Sequence, residues 1–170
     1  MTGVIDDFVR LEAALLDQRC LAQWVTLFAP DGLLWVPGRV GEVDPARHVS
    51  IIYDHLPQLK ARVNRLLSGK ESAQEPPSKT LRSITNLAVI HDGAGTADGL
   101  VTVETVQVIY ETRALGQPLL VLPCRVRFRL RPLEEGATQD TVGEGAFRIV
   151  EKRIDLLEVH RHFDSLSFLL

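Results

Sequence analysis

Tyr53-Asp54-His55 places a phenol, a carboxylate and an imidazole in three consecutive positions. In a desolvated pocket, Asp54 or His55 could act as a base while the Tyr53 hydroxyl stabilises an oxyanion, which is the chemistry of a dehydratase or isomerase. If the run is helical, adjacent side chains diverge by about 100°, so the three cannot all face one cavity, and Asp54 reads equally as a solvated or capping carboxylate. His160-Arg161-His162 sets two imidazoles on one side of an extended tail, but no third ligand is spaced to join them on a metal. Cys20 and Cys124 form no C-x-x-C pair and have no histidine nearby in sequence, which leaves zinc, iron–sulfur and thiol-nucleophile chemistry without a ligand set. No G-x-S-x-G elbow occurs. The glycines between His91 and Gly99 lead into a strand-like run, so they read as a hairpin tip and not as a phosphate cradle.

The other side chains with recognisable chemistry are cationic. Arg125, Arg127 and Arg129 alternate with Cys124, Val126, Phe128 and Leu130, and Arg131 continues the row, so on a strand the guanidinium groups share one face. Such a row repels itself unless acids on neighbouring strands answer it, and Glu104, Glu111, Glu144 and Glu151 are the candidates. The row is either a solvated ion-pair ladder or a subunit interface, where arginine is favoured. Trp24 and Trp35 read as core.

The elements that must carry these residues fall into two halves. Ile5, Phe8, Val9, Leu15 and Leu16 recur at helical spacing from Val4 to Leu16, and Leu21, Trp24, Val25, Leu27 and Phe28 form a second short apolar helix that stops at Ala29-Pro30-Asp31-Gly32. Leu33 to Val36 reads as a short strand. The spacing then predicts a third helix over His48 to Leu67, in which Pro57 either kinks the helix or starts a new one. Lys70 to Lys79, with Pro76-Pro77, reads as an exposed connecting arm. Beyond Thr80 the pattern changes to alternation over Leu81 to His91, Leu100 to Arg113, Leu119 to Arg131 and Gly143 to Leu157, with tips at Gly93-Ala94-Gly95 and Glu134-Glu135-Gly136. In the second of these runs Val101 and Val103 are out of phase with Val106, Val108 and Tyr110, which predicts a bulge near Glu104-Thr105. The expected fold class is α+β, a cone-like fold in which a curved antiparallel (mixed) β-sheet packs against about three N-terminal helices.

The 170 residues suffice for a single domain, 1–170, that removes roughly 70% of its unfolded surface from water. Hydrophobic residues make up 45% and charged residues 24%, so the chain should fold and leave apolar surface for a partner. A net charge of −3 supplies no field for nucleic acid. Asp6 and Asp7 stand where a secretory leader wants lysine, and the apolar runs are short of the ~20 residues of a membrane span, so the expected location is cytoplasmic.

One family combines these features in this order. Leu15-Leu16-Asp17, Trp24, Leu27-Phe28-Ala29-Pro30-Asp31-Gly32, Trp35-Val36-Pro37, Ile51-Ile52-Tyr53-Asp54, Leu59, Arg62-Val63, Arg65-Leu66 and Gly69 are followed by Gln74-Glu75-Pro76-Pro77-Ser78-Lys79-Thr80, Asn86, Lys152-Arg153 and Leu166-Ser167-Phe168-Leu169. Over nearly its whole length the sequence resembles the small (beta) subunit of Rieske-type aromatic-ring-hydroxylating dioxygenases, which share the cone-shaped fold of nuclear transport factor 2. Pro57 departs from that pattern, and so does Arg82, which stands where the family expects histidine and could lack an interface hydrogen bond. The resemblance implies a structural, non-catalytic chain with no cofactor of its own. It also implies a large (alpha) subunit carrying the Rieske 2Fe-2S cluster and mononuclear iron, an alpha3beta3 hexamer, and a trimer of the small subunits, with Arg82, Arg125, Arg127 and Arg129 as interface candidates. The contrasting readings are a stand-alone cone-fold dehydratase or isomerase using Tyr53, Asp54 and His55, and a homo-oligomeric binding module.

Overall fold

Helix α1 (Thr2–Asp17) buries the predicted stripe Ile5, Phe8, Val9, Leu15 and Leu16. In the computed structural model, which describes residues 2–41, 43–68, 77–90, 99–113, 118–133 and 146–159, α1 is followed by the single turn α2 (Leu21–Trp24) and a 3-10 turn, Val25–Leu27. Strand β1 then runs over Phe28–Pro37, earlier than the Pro30-Asp31-Gly32 signal suggests. The strand absorbs that turn sequence as an irregularity in its pairing with β6 between Phe28 and Leu33, with Pro30 and Asp31 exposed. Gly32 permits the close approach, since a Cβ there would stand 2.8 Å from the Ala29 carbonyl oxygen and 3.0 Å from that of Ile149.

The helix expected over His48 to Leu67 divides in two. Ser50–His55 is strand β2, antiparallel to β1 with Tyr53 opposite Trp35, and only Leu56–Leu67 is helical, forming α3. Pro57 lies in the first turn of α3, where no intrahelical N–H is needed and the fixed φ suits a helix start. It opens the helix and introduces no kink. The apolar residues of β2 and α3 overlap in phase closely enough to imitate one long periodic run.

Strands β3 (Lys79–Ile90), β4 (Val101–Thr112), β5 (Leu120–Pro132) and β6 (Phe147–Leu156) complete a six-stranded sheet of order β2-β1-β6-β5-β4-β3. The β1–β6 pair is parallel and every other pair antiparallel, so the fold is α+β with a mixed sheet. On β5, Leu122, Cys124, Val126, Phe128 and Leu130 face the helices while the arginines alternate on the outer face, as predicted. The bulge is displaced from its predicted place. β4 pairs with β5 without a break from Val101–Leu130 to Glu111–Leu120, and the irregularity lies across the ladder in β3, between Thr85 and Ala88, where Asn86 has a φ of 52°. The phase change along β4 is a change of face: Thr105, Gln107 and Glu111 are buried with Val103 and Ile109, whereas Val106, Val108 and Tyr110 look outward.

The core lies between the helices and the inner face of the sheet, with Ile5, Trp24, Leu27, Leu34, Leu59 and Phe128 fully buried. Trp24 meets Phe28 edge-on at 5.0 Å, and Phe8 meets Phe147 at 5.8 Å. Among the described residues no helix is long and apolar enough to cross a membrane. Most of the connecting arm, both hairpin tips, His160-Arg161-His162, Glu144, Gly69 and Leu166-Ser167-Phe168-Leu169 lie outside the described residues.

Candidate functional site

Because Tyr53, Asp54 and His55 occupy a strand, alternation separates them. Tyr53 and His55 are exposed on the outer face, their rings edge-on at 5.6 Å, and Tyr53 also meets Trp35 edge-on at 6.0 Å. Asp54 lies on the opposite face, where its carboxylate accepts a hydrogen bond from Arg62 Nε at 2.6 Å across the β2–α3 junction. The phenol, carboxylate and imidazole therefore form no common site, and the structure gives the dehydratase reading no constellation. Asp54 ties α3 to its preceding strand.

The interior holds a polar cluster that local sequence pattern does not mark. Glu12, from α1, is fully buried, and its Oε1 accepts hydrogen bonds from Trp24 Nε1 at 2.5 Å and from Lys152 Nζ at 2.6 Å. Lys152 projects inward from β6, where its ammonium stands 5.8 Å from the Trp24 ring centroid and 5.7 Å from that of Phe128. Burial pushes the Lys152 ammonium below its ordinary pKa, and the Glu12 charge pulls it back. Glu12 Oε2 is buried without a hydrogen-bond partner. Near the other end of α1, Asp17 accepts hydrogen bonds from Thr80 Oγ1 at 2.9 Å and the Arg82 backbone N–H at 2.8 Å, and pairs closely with the Arg82 guanidinium. Glu111 accepts hydrogen bonds from Ser78 Oγ at 2.7 Å and Arg113 Nε at 2.8 Å. These contacts fix α1 and the start of β3 against the sheet. Among the described residues these buried side chains are committed to one another, so the cluster positions α1, α2 and β6 against the sheet.

The outer face carries the arginine row, with one departure. Arg127 donates from Nε and a terminal nitrogen to Glu104 Oε1 at 2.8 and 2.6 Å, and Arg125 stands 4.0 Å from Glu104 Oε2. Arg131 makes a two-point contact with Asp31 at 2.9 and 2.8 Å, which holds the Asp31 carboxyl below its ordinary pKa. Arg129 is in register with Glu151. Glu104 thus answers the row, while Glu111 is inside. Arg82 stands apart from its three companions: its side chain is 1% exposed, on the inner face, against Asp17. Across five strands Tyr53, Trp35, Arg153, Arg127 and Glu104 follow one another in register, with the Arg153 guanidinium 4.5 Å above the Trp35 ring. Trp24 and Trp35 are both buried.

Among the described residues no group of three or more His, Cys, Asp or Glu side chains could hold a metal ion. Both cysteines are free; Cys20 is half-buried, and burial pushes the Cys124 thiol up to about 11 from its ordinary 9.0. A disulfide-exchange reagent at about pH 8 should label Cys20 in the native protein and leave Cys124 untouched, with both labelled after unfolding. Labelling of both thiols at equal rates would contradict this burial. The same shift makes Cys124 a source of alkaline instability. The unfolded chain releases this proton first, so stability falls as pH rises from 9.0 through about 11.

A curved mixed sheet with helices packed on its inner face around a buried ion pair, and with arginines and apolar side chains on its outer face, defines a cone-shaped α+β protein. Residues 11–160 match the family model of the ring hydroxylating beta subunit, and the chain belongs to that family. It is 31% identical over 97 residues to the toluate 1,2-dioxygenase subunit beta of Pseudomonas putida, covering 54% of this chain and 59% of that one. It is 34% identical over 89 residues to the 2-halobenzoate 1,2-dioxygenase small subunit of Burkholderia cepacia, covering 49% and 53%. These matches span little more than half the length of either relative. The beta subunit of the benzoate 1,2-dioxygenase from Burkholderia mallei has the same fold, with a TM-score of 0.69 at 21% identity over 96% of this chain and 94% of that one.

Proposed function

We propose that this chain is the non-catalytic small subunit of a multicomponent aromatic-ring-hydroxylating dioxygenase of the cytoplasm, where it assembles with a large subunit. In this reading the large subunit carries the Rieske cluster and the mononuclear iron, and three copies of each chain form an alpha3beta3 hexamer around a trimer of small subunits. The observation that carries the reading is the family match over residues 11–160. The interior supports it, since Glu12, Lys152 and Trp24 are committed to one another and Tyr53, Asp54 and His55 do not converge. Co-expression with a large subunit of such a dioxygenase, followed by mass measurement, should give one hetero-oligomer with equal numbers of the two chains. The purified small chain should show no turnover of arenes. A small chain that never associates with the large subunit, or that turns over an arene alone, would refute the proposal.

A further inference from the structure

A cavity of about 440 Å³ lies on the outer face of the sheet, where the segment following β1 meets β4, β5 and β6. One register row crosses it: Val106 of β4 stands opposite Arg125 of β5, and Arg125 stands opposite Asp155 of β6. Val40, Pro123 and Leu157 complete the lining with aliphatic carbon. Hydrogen bonds hold these parts in place, since Arg153 donates to the Gly41 carbonyl at 3.3 Å and the Leu157 N–H donates to the Pro123 carbonyl at 3.0 Å. A concave, preformed, mostly apolar space with a few charged groups, within the ~300–1,000 Å³ of small-molecule sites, suits a ligand of modest size.

The charges around the cavity define the polar end of that ligand. Asp155 accepts three hydrogen bonds from Arg153, at 3.1, 2.9 and 2.8 Å. Glu104 Oε1 accepts two from Arg127, at 2.8 and 2.6 Å. Both carboxylates are therefore engaged by other arginines. Arg125 stands 4.0 Å from Glu104 Oε2, beyond hydrogen-bond distance, with 66% of its side chain exposed. Its guanidinium is a planar fork of donors beside aliphatic carbon, and the group that such a fork receives at two points is a carboxylate. An apolar body carrying one carboxylate satisfies the walls and the fork together. A cationic head would meet the surplus positive charge, and a polyhydroxylated ligand would set its hydroxyls against Val40, Val106 and Leu157.

We infer that this cavity binds a small apolar monocarboxylate, with its hydrocarbon body against Val40, Val106, Pro123 and Leu157 and its carboxylate on Arg125. The test measures binding of octanoate by equilibrium dialysis, to the full chain and to the co-expressed complex. Octanol and octylamine keep the hydrocarbon body and change only the head. Octanoate should bind at one site, at least about fivefold more tightly than octanol, with octylamine weaker still. Arg125→Gln should abolish the preference for octanoate and leave octanol binding within about twofold, while Leu157→Asp should weaken octanoate and octanol alike, at least about fivefold. Arg131→Gln changes an arginine of the same strand outside the cavity and should leave octanoate binding within about twofold. Circular dichroism checks that each variant is folded. Octanoate that binds no better than octanol, or equally well to Arg125→Gln, would overturn the inference. Binding by the chain alone that is lost in the complex would also overturn it, by assigning the cavity to a subunit contact. A complex that fails to form would refute the assembly reading alone, because the titration of the chain itself then decides the cavity.

Discussion

Lys152→Ala is expected to destabilise the protein by about 3–5 kcal/mol, read as a lower urea midpoint at unchanged slope. The variant leaves the Glu12 carboxylate buried with Trp24 Nε1 as its one remaining donor among the described residues, while Oε2 is already without a partner among them. It also removes a long side chain packed against two rings. The size of the loss measures an orphaned charge and does not equal the worth of the pair. That distinction has its own signature: Glu12→Gln with Lys152→Met removes both charges at similar volume and should cost less than Lys152→Ala alone. A single-variant loss below about 1 kcal/mol would mean that water reaches the pair, and the cone would then have an open interior. An open interior would in turn revive a binding role for the space beneath the sheet.

The same pair shows what a linear sequence can and cannot disclose. The alternation of β5 was legible because one face meets the core and the other meets water, so each residue type reports its own surroundings. The ion pair between Glu12 and Lys152 spans 140 positions and leaves no local period; on α1 a glutamate beside Arg10 and Leu11 looks like any solvated helix residue. The family resemblance, which included Lys152-Arg153, was the one signal that touched it. β2 was misread for a different reason. Ile52 and Leu59 are both core residues, and their spacing satisfies a helical period across a strand–helix junction, while the stronger local signal, Pro57 as a helix opener, was available in the sequence. In β4 the rule that apolar residues face inward failed because Val106, Val108 and Tyr110 lie on the outer face. The error is informative, since apolar side chains turned away from the core are what an assembling subunit displays.

Asp17→Ala should be nearly as costly as the loss of Lys152, at about 3–5 kcal/mol, although it sits where α1 ends. Asp17 receives the Thr80 hydroxyl, the Arg82 backbone N–H and the Arg82 guanidinium, whose side chain is 1% exposed. Removing the carboxylate takes a nearby negative charge from a buried cation and frees the first residues of an edge strand. Asp17→Asn keeps an acceptor oxygen without the charge and should fall between wild type and Asp17→Ala. Arg131→Ala provides the contrast, because its two-point contact with Asp31 is solvent-exposed and should be worth less than about 1 kcal/mol. A consequence for the outer face follows from alternation: Leu81 lies between Thr80 and Arg82 and projects outward, 65% exposed, beside Tyr110. Loosening the inner anchor must also loosen the outer residue. Asp17→Ala should therefore raise amide exchange along the start of β3 as well as lower the stability of the fold, whereas Arg131→Ala should affect neither strongly. Equal stability losses in the two variants would show that burial does not govern these ion pairs.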